Sequence, residues 1–204
     1  MSLDRLFSNL HPEVARTLDA VERLHRTNRR STAVSLGSAR TRATRTCAPE
    51  LVEAALTLLA TRGILQIDGP RVSLPQHRPD LTAGEQEARE EVLRVIRKSG
   101  LQPPTVNDLA RTLGIPRDLL DDLLPLLRDE GRIVGITPEI YIANEERDAL
   151  VTRMVELLAN GRPAPPTRFK EALGLSRKYL IPMLEYLDRE GVTRRTGEGR
   201  VLAS

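Results

Sequence analysis

Eight side chains near the end of the 204-residue chain have the types and the spacing to hold a polyanion. Arg168 and Lys170 stand two positions apart, Arg177, Lys178 and Tyr179 are consecutive, and Arg194, Arg195 and Arg200 follow. A guanidinium stays charged and presents a planar fork of donors that suits phosphate and base edges. A tyrosine beside such cations can stack on an unpaired base. Residues 162–200 carry 9 Lys or Arg against 5 Asp or Glu, so the local balance is basic. The plainer reading leaves Arg177 and Lys178 as surface charges and puts Tyr179 in a core. The pattern of residue types and spacing favours nucleic acid over that reading.

Other chemistry finds less to work with. His11, His25 and His77 are far apart in sequence, with no His or Cys at metal-ligand spacing, and each reads as a surface or helix-end residue. Cys47 is the single cysteine and has no His or Lys nearby to activate it. Glu85, Glu87, Glu90 and Glu91 crowd one helix without partners and read as a solvated face. Neither a G-x-x-x-x-G-K-[ST] loop nor a G-x-G-x-x-G loop occurs. No enzyme activity, metal or cofactor is expected of this chain.

The elements that must position the basic residues repeat along the chain. Gly63, Gly131 and Gly191 each close an amphipathic helix and lead into two short strand-like runs. The glycines lie about sixty residues apart, as supersecondary repeats do. The last repeat predicts a helix over 144–159, a short helix over 167–173, the turn Gly174-Leu175, and a helix opened by Ser176 as N-cap. Arg168 and Lys170 then ride the second helix, Arg177 to Tyr179 open the third, and Arg194, Arg195 and Arg200 lie on or beside the hairpin. Pro182 falls inside that third helix and is expected to kink it or remove a bond. The second repeat predicts helices from 81 to 98 and from 105 to 113, then a third started by Pro116. The first predicts helices over 12–25 and 49–61, with a weakly patterned stretch from Thr27 to Thr46 between them.

Three helices and a hairpin make the winged form of the helix-turn-helix. The fold class expected is therefore mainly α with small β-hairpins, as three tandem winged helices over 1–78, 79–143 and 144–204. Aromatics are scarce (Phe7, Tyr141, Phe169, Tyr179 and Tyr186), which argues against a β-sandwich. By charge, residues 1–75 hold 11 basic and 7 acidic side chains, residues 76–144 hold 9 and 12, and residues 145–204 hold 11 and 9. The middle repeat is thus a poor phosphate ligand and reads as a spacer. Arg26, Arg29, Arg30, Arg40, Arg42 and Arg45 span a stretch free of acid, which reads equally as an arm on RNA or as a solvated loop. One cysteine and no long apolar run point to the cytoplasm.

The run Ser176-Arg177-Lys178-Tyr179-Leu180-Ile181-Pro182-Met183-Leu184-Glu185-Tyr186-Leu187-Asp188, followed by Gly191-Val192-Thr193-Arg194-Arg195, Gly197 and Arg200-Val201-Leu202, closely resembles the end of the bacterial selenocysteine-specific translation elongation factor, SelB. The resemblance is strong over 167–202, looser over 80–143 and weakest over 1–75. It implies an arm of tandem winged helices whose last member binds the SECIS hairpin of a selenoprotein messenger RNA beside a UGA codon. It carries RNA contact to Arg168, Lys170, Arg177, Lys178 and Tyr179, and also to Arg194, Arg195 and Arg200. It also implies a GTPase half with GTP and magnesium, together with ribosome and selenocysteyl-tRNA as partners of the complete factor. With no phosphate loop in this sequence, that half is expected to lie in a longer protein of which this chain is a monomeric piece. The competing readings are a DNA-binding transcriptional regulator and a protein-assembly scaffold.

Overall fold

The computed structural model describes residues 11–203; Phe7 and the opening Met1-Ser2-Leu3 lie outside them. The order is α1 (Pro12–Thr27), β1 (Val34–Ser35), α2 (Leu36–Ala43), α3 (Pro49–Thr61), β2 (Gln66–Asp68) and β3 (Arg71–Ser73). Then come α4 (Ala83–Lys98), α5 (Val106–Leu113), α6 (Arg117–Asp129), β4 (Ile133–Thr137) and β5 (Ile140–Ala143). The last set is α7 (Asn144–Leu158), α8 (Pro166–Leu173), α9 (Arg177–Arg189), β6 (Thr193–Arg195) and β7 (Arg200–Leu202). The chain is thus mainly helical with small antiparallel sheets, each set of three helices being followed by a hairpin. It divides into two compact units, Met1–Thr82 and Ala83–Ser204. Among the described residues, no helix is long and apolar enough to cross a membrane.

In the first unit, Leu18, Val21, Val52, Leu56 and Leu59 of α1 and α3 close over the sheet, whose order is β1-β3-β2. Val34 and Ile67 both pair with Val72 across the middle strand. The Thr27–Thr46 stretch is not structureless, since it forms β1 and α2. Its buried stripe is Leu36, Ala39 and Ala43. Two alanines give a faint periodic signal yet let the helix pack closely. The Ser35 side chain caps α2 by accepting from the Ser38 amide at 3.2 Å. Cys47 is buried in this core.

His25 stands at a helix end, one of the two placements expected of it, but is buried there. In the last turn of α1 it is 2 % exposed, and its ring lies 4.2 Å from that of His77, centroid to centroid. Neither ring nitrogen of His25 has a hydrogen-bond partner of good geometry. Burial, followed by the neighbouring His77, lowers its pKa to about 4.

In the second unit, the β4–β5 hairpin has both faces covered. Ile133 and Tyr141 join Val92, Ile96, Leu109, Leu120 and Leu127 in one core. Ile136, Ile140 and Ile142 join Leu150, Met154, Phe169, Leu180 and Leu184 in the next. This explains why these strands read as apolar runs rather than alternating ones. Two details of the helix starts differ from expectation: Pro116 is the N-cap residue of α6 rather than its first helical residue, and Ser176 caps α9 without a side-chain bond. Glu85, placed on a solvated face by its neighbours, is 8 % exposed because the first turn of α4 turns it inward.

Candidate nucleic-acid interface

Helices α8 and α9 are joined by a turn in which Gly174 adopts φ 64°, a left-handed conformation that costs glycine little. Phe169, Leu180, Met183, Leu184 and Leu187 are buried and fix the rotation of both helices. The opposite face of α9 therefore turns Arg177 and Lys178 to solvent in its first turn. Because the Ser176 side chain makes no cap, the first amides of α9 remain open to a ligand, where the helix dipole also favours an anion. Pro182 stands within the helix without ending it.

Lys170 is exposed and Arg168 is half-buried on α8. Tyr179 is half-buried, packed against the core on one side, with the Lys178 Nζ 5.1 Å from its ring centroid. The tyrosine thus has the character of both readings, core on one side and accessible on the other. Arg194 and Arg195 are exposed on β6. Arg168, Lys170, Arg177, Arg194 and Arg195 make no ion pair among the described residues, so their charge is available to an external anion.

Arg200 is placed differently from its seven companions. It is 6 % exposed, and its guanidinium is turned onto Asp188 of α9, with Nε 2.9 Å and Nη2 2.8 Å from Oδ2. The Thr193 hydroxyl donates to Asp188 Oδ1 at 2.6 Å. One carboxylate therefore holds both strands of the hairpin to the helix. The Arg200 backbone also exchanges two hydrogen bonds with Ala164, at 2.8 and 2.9 Å, tying the loop before α8 to the hairpin edge. Gly199 makes this approach possible: at φ 153°, a Cβ there would meet the Ala164 carbonyl oxygen at 2.4 Å. Asp188, Thr193 and Gly199 thus position the basic strand. Nothing in their sequence spacing marks them, since the contacts close only through the fold.

The middle set of elements is electrostatically different. Arg89, Arg94, Arg97, Arg111, Arg117 and Arg128 each lie against a carboxylate, Arg117 bridging Asp121 and Glu139 at 2.9 Å. The Thr105 hydroxyl bonded to Asp108 lowers its pKa, with smaller pulls from Arg111 and, across from α9, from Lys178. Cations compensated in this way contribute little to binding phosphate.

Residues 156–202 match the family model "Elongation factor SelB, winged helix". Those residues hold α8, α9, the hairpin and all eight basic or aromatic candidates. Three curated relatives are each described as a selenocysteine-specific elongation factor. That of Desulfomicrobium baculatum is 28 % identical over 74 % of this chain and 24 % of its own length. That of Escherichia coli (strain K12) is 29 % identical over 62 % and 21 %, and that of Haemophilus influenzae is 23 % identical over 69 % and 23 %. Over 156–202 this chain is similar to the SelB winged helix. It spans about a quarter of the length of the SelB relatives it matches. Among solved structures it is similar to the mRNA-binding domain of E. coli SelB in complex with SECIS RNA, with TM-score 0.53 and 28 % identity, over 60 % of this chain and 100 % of that one. A bacterial EF-Sec crystal structure shares the fold at 22 % identity and TM-score 0.54, over 96 % of this chain and 30 % of that one.

Proposed function

We propose that this chain is the messenger-RNA-binding arm of a selenocysteine-specific elongation factor and that its last winged helix grips a SECIS hairpin. The observation that carries this reading is the uncompensated basic face of α8, α9 and β6, in the segment similar to an RNA-bound SelB domain. The arm consists of three tandem winged helices, over 1–78, 79–143 and 144–204. The middle one is a spacer that orients the last. Arg177 and Tyr179, at the rigid start of α9, meet unpaired bases, while Lys170, Lys178, Arg194 and Arg195 meet phosphate. Arg168 supports them from α8. Arg200 acts through Asp188, holding the hairpin on which Arg194 and Arg195 stand. Ribosome, selenocysteyl-tRNA, GTP and magnesium belong to the complete cytoplasmic factor, and the chain itself is a monomer without catalytic function.

The test is a filter-binding panel with this chain against a SECIS hairpin, the same sequence as duplex DNA, and a single-stranded RNA. The hairpin should bind tightest. Preference for duplex DNA would make the protein a transcriptional regulator, and the absence of binding to all three would leave a scaffold. Within the panel, Arg194→Ala should weaken all hairpins alike and flatten the salt dependence by roughly 0.7–0.9 in log–log slope. Tyr179→Ala should weaken the cognate hairpin more than one with altered loop or bulge bases while leaving that slope almost unchanged.

A further inference from the structure

The six arginines between Arg26 and Arg45 are not equivalent once folded. Arg26 faces Asp19, and Arg40 lies 2.7 Å from Glu53. Arg29 donates to the Asp80 carbonyl oxygen at 2.5 Å, and Arg30 is also engaged. Arg42 and Arg45 remain, both exposed and neither in an ion pair among the described residues. They stand three positions apart at the end of α2, and the turn they share is fixed. Thr46 and Cys47 both donate backbone bonds to the Ala43 carbonyl at 3.1 Å, and the Cys47 side chain is buried in the core. A third cation joins them from α1: Arg16 is exposed and donates from Nη1 to the Thr46 carbonyl oxygen at 3.3 Å.

We infer that Arg16, Arg42 and Arg45 form a second RNA surface, one that holds the phosphate backbone of duplex RNA without reading its sequence. The inference rests on the RNA-binding reading above but concerns a different unit of the chain. The backbone that carries the three cations is folded, so no segment has to be ordered for their charge to meet a phosphate backbone. Among the described residues, the carboxylates on the elements that carry and adjoin these cations include Glu13, which pairs with His11 and also feels Arg16, and Glu50 in the first turn of α3; Glu53 is already held by Arg40. The side chains between the arginines are the threonines Thr41 and Thr44, both exposed, and of the exposed large hydrophobics among the described residues Leu51, beside Glu50 on α3, stands alone near them. A protein partner would need an apolar anchor there, whereas a phosphate backbone needs only fixed positive charge.

The experiment uses the whole chain and two probes, a SECIS hairpin and a fully paired RNA duplex with no loop. Doubly substituted Arg42→Ala/Arg45→Ala should bind the duplex about tenfold more weakly and lower its log–log salt slope by roughly 1.4–1.8, two phosphate contacts' worth. Hairpin affinity should change much less. Arg62→Ala, an exposed arginine at the far end of α3, should leave both unchanged, with circular dichroism confirming the fold of each variant. An unchanged duplex affinity and slope in the double variant would overturn the inference, as would equal losses with Arg62→Ala. Tighter binding of the wild-type chain to duplex DNA than to duplex RNA would also overturn it. If the wild-type chain fails to bind the hairpin, it is the function proposed for the last winged helix that falls.

Discussion

Removing the Arg200 side chain would leave the Asp188 carboxylate with only the Thr193 hydroxyl against it, in a site where the arginine itself is almost wholly buried. Breaking such a pair destabilises strongly because one charge stays behind, although the partial exposure of Asp188 softens the loss. Arg200→Ala should therefore lower the stability of the second unit by roughly 2–4 kcal/mol. Calorimetry would register this, while the salt slope of RNA binding by the folded variant should match the wild type. A changed slope would instead place Arg200 on phosphate. His25 gives a pH dependence of definite sign. With a pKa of about 4 folded and 6.5 unfolded, the unfolded chain takes up the proton first. The first unit should keep its full stability above pH 6.5 and lose up to about 3 kcal/mol on acidification towards pH 4. Melting His25→Phe over the same range should show a shallower decline, since Glu22, Arg26, Arg29, His77 and Asp80 remain around the site.

At the scale of elements, the joint between the hairpin and the loop before α8 depends on one position without a side chain. Gly199→Ala would press a methyl into the Ala164 carbonyl and should cost about 2 kcal/mol or more, with loss of protection from exchange at the Ala164 and Arg200 amides. Strong amphipathic stripes made most helices legible from sequence. Helix α3 runs Pro49–Thr61 as expected, and the stripe Leu180, Met183, Leu184 and Leu187 is buried as its spacing required. Helix α2 escaped because its contact face is largely alanine, and β1 because two residues carry no period. The basic face was visible because charge type and helix position are both local properties. The inward turn of Arg200 was not, since it depends on Asp188 arriving from another element.

For the molecule as a whole, one compact unit begins at Ala83 and contains both β5 and α7. Ile136, Ile140 and Ile142 belong to the core that supports α8 and α9, and burying such a side chain contributes about 1.5–3 kcal/mol. A fragment of residues 83–204 should fold and retain the hairpin affinity of the full chain, whereas residues 145–204 alone should melt far lower and bind only as well as they fold. Equal melting temperatures for the two fragments would show that the β4–β5 wall is dispensable. That wall has a mechanical consequence. A load applied to the exposed strand β6 passes through Asp188 into α9, from α9 into the shared hairpin, and from there into α4 and α6. Stretching the second unit end to end should release its two sets of elements in one rip rather than two.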